Sequence, residues 1–187
     1  MANSALLVMD VQRDVVALAD DGFRIPAASA RDHRRCPGCR HPRDPRGDGV
    51  TAGRSRSQSP QQGDGQHRAG RPVHRGAPGT EIHDEVAPQQ GDVVVTKRRG
   101  SAFSGSDLDL VLRARDIDSL VLTGIATSAV VLSTLWHAVD LDFGLTVLAD
   151  ACLDTDPEVH RMLTEKLFPQ WADVVTVEDW LKAVAQR

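Results

Sequence analysis

Apolar residues along this chain fall in short continuous blocks, separated by stretches in which they recur at helical spacing. Residues 5–9 (ALLVM), 92–97 (DVVVTK), 119–123 (SLVLT), 145–148 (LTVL) and 173–177 (DVVTV) read as buried strands, each without the alternation of a half-exposed sheet. Between them, helical spacing predicts helices over 11–20, from Ser106 onward, over 128–139, over 158–167 and over 178–184. Ser106 is placed to cap its helix, with Asp107 and Asp109 where the dipole favours anions and Leu108, Leu110, Val111 and Leu112 as the inner face. For the helix over 158–167 the inward residues are Val159, Met162, Leu163 and Leu167, with Pro157 at its start. Continuously apolar strands alternating with helices predict an α/β fold with an open parallel sheet. Ligands of such sheets sit beyond the carboxyl ends of the strands.

The pattern breaks over residues 31–75. This segment holds eleven Arg, four acids and no Lys, and lacks Leu, Ile, Met, Phe and Trp; Val50 and Val73 are its only large aliphatics. It carries +7 within a chain of net charge −4, leaving −11 elsewhere. Such a composition cannot offset its ordering entropy by burial. We therefore expect one domain over 1–187, with an irregular or disordered segment over 30–75 and no second strand there. The 187 residues suffice for one core. No apolar run is long enough for a membrane span, and residues 1–10 lack the basic start and cleavage pattern of a signal peptide. Three cysteines suggest no disulfide framework, and a cytoplasmic location is expected.

Polar residues cluster at the ends of three predicted strands: Asp10, Lys97 and the turn from Gly124 to Thr127. A carboxylate and an ammonium meeting at a strand edge form an acid–base pair in which Lys orients Asp and Asp moves a proton. The helix starting near Ser128 would aim backbone amides at the same edge, where they can stabilise an oxyanion. The plainer alternative is that Asp10 and Lys97 are solvated strand ends.

LLVMDVQ (6–12), VVVTKRRGSAF (93–103), LVLTGIATSAVVLSTL (120–135) and TVLADAC (146–152) resemble, in order and spacing, the isochorismatase-like or cysteine-hydrolase superfamily. The resemblance covers residues 1 to about 25 and 76 to 187. It implies a Rossmann-like three-layer fold and hydrolysis of a small molecule at an amide, imide or vinyl-ether group, without a cofactor or metal. Of the family's Asp–Lys–Cys triad, Asp10 matches the acid/base and Lys97 the lysine. The nucleophile position, six residues after Gly124, holds Val130. The resemblance also implies oxyanion contacts from the Ala126 and Val130 amides, and a cis peptide around Ile125–Ala126. Gln12, Phe103 and Thr127 are candidate pocket residues. Cys152 lies on another strand end and reads as a small buried residue, and Thr127 and Ser128 read as capping hydroxyls. Thiolate chemistry is therefore not expected, whereas the branch that protonates a vinyl ether with Asp and finishes with water needs no thiol. A catalytically inactive member, acting at most as a scaffold, is the alternative.

Within 31–75, His33, Cys36, Cys39 and His41 have the residue types of a zinc or redox site, but not the spacing of a familiar finger. Arg46-Gly47-Asp48 resembles an adhesion tripeptide without a secretion signal beside it. The Arg richness lacks the aromatics that stack bases, so neither nucleic acid nor membrane is expected as a partner. We expect that this segment is translated out of frame, which would explain why apolar residues, Lys and strand signals vanish and return together. The resemblance implies a homodimer or homotetramer, with Trp136 either at an interface or in the core.

Overall fold

The computed structural model describes residues 3–16, 49–54, 81–89 and 91–186. Six strands form one sheet: β1 (Ser4–Met9), β2 (Gly49–Arg54), β3 (Val93–Lys97), β4 (Ser119–Ile125), β5 (Gly144–Leu153) and β6 (Asp173–Val175). Their order is β3-β2-β1-β4-β5-β6, and every neighbouring pair is parallel. The order reverses direction between β1 and β4, which is the switch point where open α/β sheets hold their ligands.

Helices α1 (Arg13–Val16), α2 (Leu108–Arg113), α3 (Leu132–Asp140), α4 (Pro157–Met162) and α5 (Val177–Ala185) connect and cover the strands. Two apolar clusters sandwich the sheet. Leu7, Met9 and Leu122 join Leu108, Leu112, Val131 and Leu135 in one; Leu6, Val8 and Val121 join Trp180 and Val184 in the other. β1 is buried on both faces, which is why its sequence shows no alternation.

The expectation of a missing second strand is corrected by β2. Its backbone pairs with β1 on one side and β3 on the other. Two parallel neighbours offer hydrogen-bond partners to any backbone between them, so Gly-Val-Thr-Ala-Gly-Arg is held as a strand without a long apolar run. The rest of the 30–75 segment lies outside the described residues, and with it His33, Cys36, Cys39, His41 and the 46–48 tripeptide.

Smaller corrections follow from helix geometry. Leu110, expected inward, is 73% exposed, because only Leu108 and Leu112 share the face toward the sheet. Asp107, not Ser106, occupies the cap position of α2, while Ser106 Oγ still accepts the Leu108 N–H. The predicted 158–167 helix ends as α at Met162 and continues as a π-helical turn (Leu163–Leu167), which leaves Met162 exposed and Leu163 buried. Trp136 sits at the surface against Trp171, ring centroids 5.1 Å apart. Among the described residues, no helix is long and apolar enough to cross a membrane.

Candidate active site

Asp10 directly follows β1 and Lys97 ends β3, with β2 between the two strands. At about 4.8 Å per strand their backbones stand roughly 10 Å apart, a gap that a Lys and an Asp side chain span only by reaching toward each other. They do so: Lys97 Nζ lies 3.0 Å from Asp10 Oδ2. Both are buried, at 2% and 6% exposure. Asp10 adopts φ 55°, a left-handed conformation that Asp tolerates better than most residues. The chain after Lys97 folds back over it, so Nζ also donates to the Arg99 and Gly100 carbonyls at 2.7 and 2.8 Å. An ammonium has three N–H donors, and these three acceptors match them.

On the other side of the switch point, Gly124 lies beside Met9 in register. A Cβ at Gly124, whose φ is 144°, would stand 2.3 Å from the Met9 carbonyl oxygen. Only glycine permits so close an approach of β4 to β1, and it sets the following turn against Asp10. The Ile125–Ala126 peptide is cis, where the resemblance placed it. A π-helical turn (Thr127–Val131) then leads into α3, so the predicted 128–139 helix begins with a wider turn than expected.

The structure brings Asp10 and Lys97 into contact and sets the turn bearing Ala126 and Val130 on the neighbouring strand. Val130 is 1% exposed and packs in the cluster that contains Met9 and Phe103. The pocket candidates are buried with partners of their own. Thr127 Oγ1 pairs with His160 Nδ1 at 2.8 Å, Phe103 packs on His137 and Phe143, and the Gln12 backbone bridges to Ile82. The reading of Thr127 and Ser128 as capping hydroxyls is corrected. The turn is capped by Asp154, whose Oδ2 accepts the Ser128 N–H at 2.6 Å. Asp154 and His160 were missed because no local spacing joins them to residues 26 and 33 positions earlier.

Cys152 lies opposite Gly124 on β5, buried, its Sγ 4.0 Å from the Leu122 carbonyl oxygen. Burial pushes its thiol up to about 12, with the Asp150 carboxylate adding and the Gly124 backbone opposing. At neutral pH it is therefore a thiol and not a thiolate. Among the described residues, no group of three or more His, Cys, Asp or Glu side chains is placed to hold a metal ion.

A parallel sheet in this order, with a buried acid–lysine pair and a glycine-led turn at its switch point, defines an open α/β protein with buried polar residues at its strand ends. The sequence profile of the isochorismatase domain matches residues 4–179, and the chain belongs to the isochorismatase family of hydrolases. The chain is 32% identical to the isochorismatase family protein YwoC of Bacillus subtilis, over 97% of this chain and 94% of that protein. It is 52% identical to the ureidoacrylate amidohydrolase RutB of Stutzerimonas stutzeri, over 40% of this chain and only 30% of RutB. Among solved structures, an isochorismatase family protein from Burkholderia thailandensis superposes with a TM-score of 0.75 at 27% identity, covering 99% of this chain and 96% of that one. N-carbamoylsarcosine amidase from Thermoplasma acidophilum does so with a TM-score of 0.64 at 25% identity, covering 95% and 98%.

Proposed function

We propose that the protein hydrolyses a small molecule without a thiol, using Asp10 to move the proton and water as the nucleophile, and that its substrate class is a vinyl ether. The observation that carries this reading is the buried Asp10–Lys97 contact at 3.0 Å beside a turn whose nucleophile position is Val130. A vinyl ether needs a proton on its terminal carbon and then water on the resulting oxocarbenium. The hemiketal collapses to a carbonyl compound and an alcohol, and the proton returns to Asp10. In the proposed cycle Lys97 orients the Asp10 carboxyl and balances the negative charge that Asp10 carries after it has given up its proton. The Ala126 and Val130 amides line the turn beside it. Gln12, Phe103 and Thr127 form the supporting wall, with Thr127 acting through its bond to His160.

RutB, as a ureidoacrylate amidohydrolase, and N-carbamoylsarcosine amidase both hydrolyse amides. An amide resists water far more than a vinyl ether does, and a thiolate would supply the missing attack. Val130 has no nucleophilic atom, and the raised Cys152 thiol does not replace one. The same valine favours a second reading, a catalytically inactive member that binds or assembles only.

An assay of isochorismate, ethyl vinyl ether and simple amides separates the two. The first reading predicts turnover of a vinyl ether by the native protein, its loss in Asp10→Ala, and amide turnover only once Val130→Cys restores a thiol. No vinyl-ether or amide turnover by the native protein would leave the inactive reading standing.

A further inference from the structure

The Lys97 ammonium meets Asp10 in a direction set partly by the chain that follows it. Two of its acceptors, the Arg99 and Gly100 carbonyls, belong to residues 98–104, which form neither helix nor strand. Such a segment has no ladder of its own to hold its carbonyls in place.

α3 holds it instead. The Ala102 N–H donates to Thr134 Oγ1 at 2.9 Å, and both residues are fully buried. Ser101 Oγ lies 3.2 Å from His137 Nδ1 and accepts the Phe103 N–H at 3.2 Å. The Phe103 ring packs on the His137 imidazole, ring centroids 5.1 Å apart. Gly100 lies against Ser133, whose Oγ would stand 3.4 Å from a Cβ placed there. Ser133, Thr134 and His137 lie at helical spacing, so one side of α3 receives the whole segment. The turn bearing Ala126 and Val130 runs directly into the same helix. One helix therefore carries that turn at its start and clamps the lysine's acceptors further along.

We propose that Thr134 and His137 are positioning residues: by clamping residues 101–103 to α3 they fix the Arg99 and Gly100 carbonyls, and through them the direction in which the Lys97 ammonium meets Asp10. A lysine side chain is long and rich in rotamers, so its direction follows its acceptors. The carbonyls lie immediately before the clamped residues in the chain, so slack at 101–102 reaches them directly. The role rests on the reading of Asp10 and Lys97 as the reactive pair, but the placement of the ammonium is measurable without turnover.

The chain has three lysines, Lys97, Lys166 and Lys182, and the latter two are exposed. Trace acetylation of the full chain with acetic anhydride, read per lysine by mass spectrometry, therefore carries its own reference in Lys166. In the native protein Lys97 is expected to react far more slowly than Lys166. Thr134→Val keeps the shape and removes the acceptor; His137→Phe keeps a ring against Phe103 and removes Nδ1. Each should raise Lys97 labelling relative to Lys166 by about tenfold, the scale of one buried donor losing its acceptor, while Thr134→Ser restores it to within about twofold of native. Val184→Ala, a cavity in the opposite apolar cluster, lowers global stability without touching the clamp and should leave the ratio native. His137→Phe carries the test alone should Thr134→Val not fold. An unchanged ratio in both clamp variants, or an equal rise in Val184→Ala, would overturn the proposal. Labelling needs no substrate, so its failure is distinguishable from a failed hydrolysis assay.

Discussion

At the scale of single residues, the Asp10–Lys97 pair, the reactive element in the proposed function, is also a stability hazard. Removing one partner leaves the other charge buried without compensation, which costs about 3–5 kcal/mol. Lys97→Met should therefore lower the unfolding free energy by about that amount, read from denaturant midpoints. A change below about 1 kcal/mol would mean that the pair is solvated. Cys152 gives a pH signature of its own. Its thiol holds a proton more tightly folded, at about 12, than unfolded, near 9. That stabilisation is complete below pH 9 and is lost as the pH rises toward 12, at about 1.4 kcal/mol per pH unit in between. The native protein should thus destabilise more steeply than Cys152→Ala between pH 9 and 11; parallel curves would contradict a buried thiol. Asp10 and Lys97 were legible in the sequence because each follows an apolar block directly, so the strand end marks the residue. Asp154 and His160 were not, since their partners Ser128 and Thr127 lie on a different strand's connection.

At the scale of elements, the decisive piece is the junction from β4 into the π-helical turn. Gly124 allows β4 to approach β1, and Asp154 and His160 hold the turn from the β5 side. Gly124→Ala combines a disfavoured φ with a clash against Met9 backbone, and should destabilise by roughly 2–4 kcal/mol. Hydrogen exchange would show the loss concentrated at the β1–β4 pairing; an unchanged melting temperature would deny the close approach. The other strands followed from their apolar blocks, with ends displaced by a few residues. β5 extends to Leu153, past the predicted block, because a register irregularity after Leu122 lets it pair again at Gly124. β2 was illegible for a physical reason. A strand held on both edges by backbone partners needs no apolar signature of its own, and the residues around it carry the charge composition of an unfolded chain.

At the scale of the whole molecule, the sheet order converts separate strand ends into one site. Asp10, Lys97, the Ala126–Val130 turn and Asp154 come from four connections, and only the order β3-β2-β1-β4-β5 sets them side by side. The fold is that of the isochorismatase family, and the sixth residue after Gly124 is the aliphatic Val130. The architecture provides a buried acid–lysine pair at the switch point, and the turn beside it, Ala126 to Val131, carries no thiol. The most direct test is single-turnover hydrolysis of a vinyl ether after exhaustive alkylation of accessible thiols, in the native protein and in Asp10→Asn. The account predicts product from the alkylated native protein at the unmodified rate, and a loss of at least a hundredfold in Asp10→Asn, the scale of one positioned acid–base group. Hydrolysis that stops on alkylation, or persists in Asp10→Asn, would contradict it.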